Sequence, residues 1–404
     1  MSSILDRASF IWGGAPDYKA GYSWALKPRT GDGIVPMTRA SDKWVINSAG
    51  LLVKKEADEL ANEWDADGNY KGVSIEPSAV NIGFPSDGTG MFGSTASASF
   101  SAIDVPTDPV QSVDCLWTAG ASVNRYEKTI TGGTYSNGQV LTWSWYQKRI
   151  NYDNGIEVIS PSGLINATIV GNPVKIEDLA DGWERWSTRL AITTGSSNTI
   201  LRLYVKADSV GVSDGFAVWG NQIETGSVAT SYIPTTTASA TRQADVNVKT
   251  NVAHLIGQTQ GTIVVECNLR DLGTSYAEAN RYLFAVSDNS ANNRVHLSHR
   301  TSDAVMRFII VAGGVVQVAQ SASAVYGKIR LVLVYSSDRN ELWINGTKVI
   351  NLSDSITIPQ THTMFFGKQE TSTSSLFLND HLPLVALFKE ALTDEEIASI
   401  PRIT

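Results

Sequence analysis

Short segments in which apolar and polar residues alternate fill most of the chain from residue 81 onward. Residues 201–206 read Leu-Arg-Leu-Tyr-Val-Lys, and other segments repeat this two-residue period. That period is typical of a strand with one face buried, because successive side chains point to opposite sides of a sheet. The segments occur as two trains separated by a stretch rich in Thr, Ala and Ser. The pattern predicts two antiparallel β-sandwiches.

The first train, within residues 81–245, contains six predicted strands, at residues 98–103, 113–116, 139–147, 184–192, 199–205 and 215–224. Pairs such as Gly132-Gly133, Asn137-Gly138 and Asp181-Gly182 are interpreted as the turns between them. Residues 231–245 follow, and Pro234 precedes their Thr/Ala/Ser run. This stretch is interpreted as an extended linker or as a strand that leaves the sandwich.

The second train, within residues 246–404, has predicted strands at residues 262–269, 282–287, 294–299, 305–311, 315–320 and 328–335. Asn345-Gly346 supplies the two positive-φ positions of a type I′ hairpin turn. Thr393 and Glu396 form a capping box that predicts one short helix near the end of the chain.

Residues 1–80 show neither a helical nor a strand period over any length and are interpreted as an irregular N-terminal module. Residues 54–63 include good helix formers but only a thin apolar stripe, so the sequence does not decide whether they form a helix. The predicted fold class is therefore mainly β: two antiparallel β-sandwich (jelly-roll) domains preceded by an irregular module, with boundaries at 1–80, 81–245 and 246–404.

Charge and apolar patterning exclude several classes of partner. The 32 basic and 40 acidic residues give a net charge of −8 without a basic cluster, so nucleic acid is not expected as a partner. The longest apolar runs are too short for a spanning helix, so no membrane insertion is expected. Asp6 and Arg7 interrupt the apolar stretch that a signal peptide needs, and we expect synthesis in the cytoplasm without one. Cys115 and Cys267 are expected to be free thiols.

The acidic residues do not form a recognisable catalytic pattern. Retaining glycoside hydrolysis needs two carboxyl groups about 5 to 5.5 Å apart, which a strand provides with acids at alternating positions. The pattern Glu-x-Asp-x-Glu is absent, and Glu184 and Glu266 stand alone on their strands. No catalytic residue is predicted and the chain is interpreted as a non-enzyme. An acid pair assembled from distant segments or across subunits remains the alternative.

Metal-binding patterns are equally sparse, and no metal ligand is predicted. Asp65, Asp67 and Asn69 imitate the start of a calcium loop, but Tyr70 stands where the sharp turn needs Gly, so a hairpin turn is preferred. His296 and His299 are three residues apart in a strand and point to opposite faces. No cofactor is predicted, and calcium is left open at residues 287–293, which read SDNSANN.

Aromatic residues provide the positive signal for ligand binding. Trp143 and Trp145 share one face of a predicted strand, and Tyr146 points to the other. Indoles spaced two residues apart could stack on sugar rings if exposed, although Trp in a sandwich is more often part of the core. Trp343 beside the hairpin turn could serve either role. These four residues are the candidate ligand-binding residues.

Three stretches of sequence resemble a recurrent bacteriophage architecture. Residues 18–41, 46–52 and 65–81 resemble the leading module of phage tail-fibre and virion-surface proteins, although Asn62, Glu63 and Trp64 depart from the usual pattern before the Asp-rich turn. Residues 219–245, WGNQIETGSVATSYIPTTTASATRQAD, resemble the close of the carbohydrate-binding-like jelly roll that follows this module. Residues 333–349, 364–368 and 382–400 are similar to concanavalin A-like, laminin G-like sandwiches.

The resemblance implies a virion component on the tail or particle surface that binds host-surface polysaccharide or lipopolysaccharide during adsorption. It also implies other virion proteins as partners and a homo-oligomer, with a trimer as the suggested symmetry. Two alternatives stay open, because these folds host several functions. One is a structural capsid or tail decoration protein without glycan binding, and the other is a polysaccharide depolymerase with an inter-subunit acid pair.

Overall fold

The computed structural model describes residues 4–13, 35–86, 99–118, 125–150, 156–159, 167–193, 196–205, 215–271, 280–371 and 376–401. Within these ranges the chain is mostly β-structure in antiparallel sheets, with one short α-helix and three 3-10 turns. The predicted fold class, mainly β with antiparallel sandwich domains, is confirmed. No helix among these residues is long and apolar enough to cross a bilayer.

The strands of the N-terminal segment are short: β1 (Phe10–Gly13), β2 (Met37–Thr38), β3 (Lys43–Ile46), β4 (Leu52–Lys55), β5 (Asn62–Trp64), β6 (Tyr70–Ile75) and β7 (Ala79–Asn81). The middle region contains β8 (Ser99–Val105), β9 (Thr107–Asp108), β10 (Gln111–Thr118), β11 (Arg125–Tyr135), β12 (Val140–Ile150), β13 (Ile156–Ile159), β14 (Ala167–Asp178), β15 (Trp183–Ile192), β16 (Ser196–Val205) and β17 (Gly215–Thr225).

The C-terminal region contains β18 (Ala240–Arg242), β19 (Val246–Lys249), β20 (Gly261–Leu269), β21 (Asn280–Ser287), β22 (Arg294–Arg300), β23 (Val305–Ala312), β24 (Val315–Ser323), β25 (Gly327–Tyr335), β26 (Asn340–Ile344), β27 (Thr347–Leu352), β28 (Thr363–Phe366), β29 (Asp380–Phe388) and α1 (Asp394–Ala398). The 3-10 turns are Ile4–Arg7, Ala180–Gly182 and Ala253–Leu255.

The middle region forms a six-stranded sheet, β14-β15-β12-β17-β10-β8, and a three-stranded sheet, β11-β16-β13. The predicted strands of the first train all fall on strands of these sheets; residue 98, the first of the earliest one, lies outside the described residues. The turn predicted at Gly132-Gly133 is wrong, because both residues lie inside β11 at an irregularity of its pairing with β16. Glycine in a strand often marks such a bulge. Asn137-Gly138 and Asp181-Gly182 do separate strands.

The C-terminal region forms the larger sandwich, with a core between an eight-stranded and a seven-stranded sheet. The path of the first is β27-β26-β25-β20-β29-β6-β5, with β1 also paired to β29, and the path of the second is β2-β19-β28-β21-β22-β23-β24. Asn345 and Gly346 have φ of 51° and 84° and join β26 to β27, as the predicted type I′ turn requires. The capping box at the start of α1 is also present.

The N-terminal segment is irregular, and its strands belong to several sheets: β3 and β4 form a small sheet with β9, and β7 pairs with β18. β1, β5 and β6 extend the eight-stranded sheet and β2 extends the seven-stranded one. In addition, Ile46 and Leu52 pack with Tyr146, Trp183 and Trp219 of the middle region. The sheets therefore cross the predicted boundary at residue 80, and the segment connects the two sandwiches. Residues 14–34, which carry part of the tail-fibre resemblance, lie outside the described residues.

The helix left open over residues 54–63 does not form. This stretch contains the end of β4, a turn and the start of β5. The buried Arg39 side chain explains the turn, because its Nη2 donates to the carbonyl oxygens of Glu56 and Glu59. Asp58 at the turn has a φ of 61° and accepts a bond from the Arg39 backbone N–H. A tertiary contact has overridden a weak local preference.

Pro383 divides the edge of β29 between two N-terminal strands. β6 pairs with residues 380–382, and β1 pairs with residues 384–387 on the other side of the proline. Proline lacks the N–H that a continuous ladder would use, so the break between partners falls where no donor is available. Gly72 of β6 approaches this point closely, with a φ of 122°.

Gly72→Ala is expected to lower the free energy of unfolding by roughly 2–3 kcal/mol. An added Cβ would lie 2.6 Å from both the Leu382 carbonyl carbon and the Pro383 nitrogen, and the positive φ adds backbone strain. Gly138→Ala is the matched control, because φ there is 82° but no atom lies within 4 Å. Denaturant unfolding should show a markedly smaller loss for the control, and equal losses would contradict the clash.

Candidate functional site

A cleft of about 620 Å³ lies between the two sandwiches. One wall is the edge strand β14 with its neighbour β15, and the other is formed by the end of β20 and the start of β25. The volume falls within the range of about 300–1,000 Å³ that is usual for ligand sites, and such sites often lie between domains. The cleft is therefore the first candidate for a binding site in the described part of the chain.

An irregular stretch of β14 shapes the first wall. The pairing with β15 shifts between Val170 and Val174, around Gly171 with a φ of 79° and Pro173. Proline is tolerated here because β14 is an edge strand. Val170 and Val174 are 38% and 55% exposed and line the cleft, where they offer apolar surface that the core does not use.

The cleft combines this apolar surface with hydrogen-bonding groups and one aromatic ring. The polar lining comes from Asn172, Lys175, Ser187, Thr188, Arg189, Asn268, Arg270 and Asp271. Tyr326, just before β25, contributes a half-buried ring. A mixture of apolar walls with a few hydroxyl, amide and charged groups is typical of sites that bind small polar molecules.

A smaller pocket of about 160 Å³ adjoins the cleft, and Ile176, Ala229, Asn268 and Arg270 line both. Its other walls come from all three regions of the chain, and they carry the charged residues Glu63, Lys71, Glu76, Glu177, Arg185, Asp380 and His381. The pocket therefore lies where the N-terminal segment, the middle sandwich and the C-terminal sandwich meet.

Lys71 links two carboxylates in this pocket. Its Nζ is 2.5 Å from Glu177 Oε1 and 3.2 Å from Glu63 Oε1. His381 continues the chain of contacts, with Nε2 3.2 Å from Glu63 Oε2 and Nδ1 3.0 Å from Asp380 Oδ1. One ionic network thus joins β14, β5, β6 and β29.

The pKa values of Glu63 and Glu177 move in opposite directions. Burial raises the pKa of Glu177, and contact with Lys71 does not fully offset it. Burial also acts on Glu63, but Lys71 and His381 together outweigh it and hold the pKa of Glu63 well below its ordinary value. The difference follows from the number of cations at each carboxylate, so Glu177 takes up a proton first on acidification.

Three of the four predicted ligand-binding residues are buried away from the cavities. Trp143 and Trp145 are each 1% exposed; their Nε1 atoms donate to Asn221 and Gln147. Trp343 is 8% exposed, donates to Glu341 and lies under the Lys348 ammonium. The exposed ring faces that sugar stacking would require are not observed. The reason is that both faces of β12 are covered: residues 141–147 are all buried, and β15 and β17 pair with its two edges.

Tyr146 is the predicted residue that does reach a cavity. It points to the face opposite Trp143 and Trp145, as expected, and lines the smaller pocket. Its ring packs against Trp219 and Tyr232, and the Arg185 guanidinium lies 5.2 Å from its centroid. Burial raises the pKa of the Tyr146 hydroxyl. The side chain is 1% exposed, so it supports the wall of the pocket.

Possible metal ligands are occupied by other contacts. Asp65 accepts bonds from the backbone N–H groups of Asp67 and Asn69, which is the hairpin turn that the sequence predicted. Asp288, in the loop where calcium was left open, accepts bonds from Ser290 and Asn293. Among the described residues no group of three or more His, Cys, Asp or Glu side chains could hold an ion. Calcium binding stays a prediction.

Comparison with known proteins gives weak matches. No protein-family model and no curated protein matches the chain. Among solved structures, the chain is similar to the CBM40 module of the Ruminococcus gnavus IT-sialidase, with 15% identity, a TM-score of 0.30, and coverage of 37% of this chain and 85% of that one. It is also similar to the NanB sialidase from Streptococcus pneumoniae, with 16% identity, a TM-score of 0.32, and coverage of 39% and 27%.

A Trypanosoma rangeli sialidase is similar at 15% identity and a TM-score of 0.29, with 39% of this chain and 25% of that chain covered. The chain therefore spans about a quarter of each of these two sialidases. TM-scores near 0.3 are too low to carry an argument, and the fold rests on the sheets described above.

Proposed function

We propose that the protein binds carbohydrate in the cleft between its two sandwiches and acts without catalysis. The observation that carries the proposal is the composition of the cleft: exposed valines on β14, hydroxyl and amide groups, guanidinium groups and the Tyr326 ring around about 620 Å³. Sugars present apolar ring faces and many hydroxyls, and these groups complement both. The tail-fibre resemblance adds the biological setting, which is host-surface glycan recognition by a bacteriophage virion.

The smaller pocket supports the non-enzymatic part of the proposal. Glycoside hydrolysis needs two carboxyl groups on either side of a scissile bond. Glu63 and Glu177 both contact the Lys71 ammonium, which bridges them. The position that a substrate would need is thus taken by a side chain of the protein itself.

Blocking the cleft should weaken glycan binding. Val174→Trp places an indole at the cleft wall, and Val110→Trp makes the same substitution at a position that is also 55% exposed but lies outside the cleft. A glycan array with the full chain would identify a ligand, and calorimetry on that ligand would compare the variants. We expect affinity to fall at least about tenfold for Val174→Trp and to stay unchanged for Val110→Trp.

The aromatic contribution is tested at Tyr326. Tyr326→Ala should weaken binding by about tenfold if a sugar ring stacks there, and Tyr326→Phe should retain most of the affinity because it keeps the ring. Equal affinity in all of these variants would remove the cleft as the site. An array without any bound glycan would favour a capsid or tail decoration protein.

A depolymerase is the second candidate, because Glu63 and Glu177 come from distant segments into one pocket and their pKa values are shifted in opposite directions, as those of an acid and a base are. This activity would require the Lys71 ammonium to leave its position between the two carboxylates. If the protein is a depolymerase, incubating it with host capsular or lipopolysaccharide extract would release new reducing ends from the polysaccharide. Their release by the native chain and its loss in Glu177→Gln would establish this activity and overturn the non-enzymatic proposal.

A further inference from the structure

Strand β24 forms an exposed edge of the larger sandwich. It pairs with β23 on one side, and no described strand pairs with its other side. Its nine residues, VVQVAQSAS, are mostly exposed, with Val318 as the buried member. An unpaired edge presents a row of backbone N–H and C=O groups that can pair with another strand.

This edge carries neither a charge nor a proline, two of the features that usually prevent pairing, although Gln317 forms a bulge in its pairing with β23. Residues 308–327 contain neither a charged residue nor a proline. Natural sheets commonly protect their edges with Lys, Pro or inward-pointing charges. The neighbouring edge strand β27 of the other sheet, by contrast, does carry Lys348.

Apolar side chains are exposed at both ends of the strand. Val315 and Val316 at its start are 61% and 57% exposed, and Val325 just after its end is 39% exposed. Val325 and Val349 of β27, which is 40% exposed, line a groove of about 470 Å³ beside this end. Together these four residues and β24 define what we call the β24 edge.

We propose that the β24 edge pairs antiparallel with the β24 edge of a second copy of this chain. A second copy is the favoured partner because the edge is complementary to itself. A two-fold axis places each residue opposite its counterpart, so any charge near the axis would face the same charge, and like charges directly opposite are destabilising. A stretch of twenty residues without charge meets this condition, in a chain whose net charge of −8 otherwise opposes association.

The spacing of the valines fits such a pairing. If the two-fold axis passes through Gln320, a residue that precedes Gln320 by a given number lies opposite the residue that follows it by the same number in the other copy. Val315 then lies opposite the partner's Val325. The exposed valines at the two ends of each strand would then cover one another, and each pair of edges would bury two such contacts. The two seven-stranded sheets would become one continuous sheet.

Each dimer would also carry two clefts. Two linked weak binding sites raise the overall affinity by about 10²–10⁴-fold when both can bind at once. The pairing itself does not depend on what the cleft binds. Two-fold pairing differs from the trimer that the tail-fibre resemblance implies, so the mass of the assembly separates the two.

Analytical ultracentrifugation of the full chain tests the proposal. We expect the native chain to sediment as a dimer at micromolar concentration and Gln320→Lys to raise the dimer dissociation constant by at least about a hundredfold, because two ammonium groups would meet at the axis. Mixing Gln320→Lys with Gln320→Glu should restore a dimer of one copy each. A merely misfolded variant would not be rescued in this way.

A matched pair of valine variants supplies the control. Val315→Lys should weaken the dimer, whereas Val110→Lys, at a similarly exposed position in the middle region, should leave it intact. A native chain that stays monomeric would overturn the proposal. So would a trimer, or any oligomer that Gln320→Lys does not affect.

Discussion

Replacing Asp245 with Ala is expected to lower the free energy of unfolding by about 3–5 kcal/mol. The Asp245 carboxylate is fully buried and accepts bonds from Arg39 Nη1 at 2.8 Å and from Lys43 Nζ at 2.6 Å. The backbone N–H of Glu76 donates to the same carboxylate at 3.0 Å. Arg39 and Lys43 also have no exposed side-chain surface, so the substitution would leave two buried cations short of a partner.

The position of Asp245 makes this loss a test of the fold as well. It follows the linker after the middle region, whereas Arg39, Lys43 and Glu76 belong to the N-terminal segment. Glu76 also contacts Lys43 Nζ at 3.0 Å, and the pKa of Glu76 is held below its ordinary value because Lys43 and Arg242 outweigh the effect of burial. The network therefore fixes the linker to the segment that joins both sandwiches.

The control for Asp245→Ala is Asp42→Ala. Asp42 is paired with Lys54 at 3.3 Å on the surface, where both side chains are nearly half exposed. Exposed ion pairs contribute about 0–1 kcal/mol, because water screens them. Urea unfolding followed by tryptophan fluorescence compares the two variants. A loss for Asp245→Ala as small as that for Asp42→Ala would show that the buried network does not hold the segments together.

The strands of both sandwiches could be predicted from the sequence because burial there depends on local alternation. In β20 and β25 every second residue is apolar and lies in the core, as the alternation predicts. Asn345 and Gly346 determine their hairpin turn because both adopt a positive φ. Each of these signals is contained within a few neighbouring residues. Gly132-Gly133 shows the limit, since glycine serves a turn and a bulge equally well and the neighbouring strand decides between them.

The shared sheets and the polar pocket could not be predicted in the same way. β1 and β6 join β29 from more than 300 residues away, and no local pattern indicates which edge is free. Likewise Lys71, Glu177 and His381 are each ordinary in their own segments and gain meaning only where three regions meet. Trp143 and Trp145 stood out as candidates because Trp is conspicuous, but they fill the interior.

Acidification is expected to destabilise the protein, and Asp380 carries a large part of the effect. The carboxylate of Asp380 is buried and lies 2.7 Å from Arg281 Nη2, and the backbone N–H of Arg270 donates to it at 2.7 Å. Burial alone would raise its pKa, but Arg270, a hydrogen bond with His381, and Arg281 hold that pKa well below the ordinary value. A lowered pKa in the folded state stabilises the protein above the unfolded pKa of about 4.

The sign of each group's contribution fixes the pH window. The stabilisation from Asp380 is complete above about pH 4–5 and is lost as the pH falls below it, at on the order of 2–3 kcal/mol for one such group. His381 acts in the opposite pH range. Burial and Lys71 lower the pKa of His381, but contacts with Glu63 and Asp380 outweigh them and raise it above its ordinary value. The stabilisation from His381 is therefore present at low pH and is lost as the pH rises through the raised pKa. Stability should therefore be greatest at weakly acidic to neutral pH.

Asp380→Asn separates this contribution from other effects of acid. At pH 7 the variant should lose about 3–5 kcal/mol relative to the native chain, because Arg281, whose side chain is fully buried, keeps its position without a counter-charge. Toward pH 3 the Asp380 carboxylate of the native sequence takes up a proton in the unfolded chain while it stays ionised in the folded one, which costs the native protein stability, so the difference between the two proteins should narrow. Urea unfolding at pH 3, 4, 5 and 7 measures it, with Asp354→Asn, an exposed carboxylate, as the control. A difference that stays constant across this range would show that Asp380 acts through packing and not through its charge.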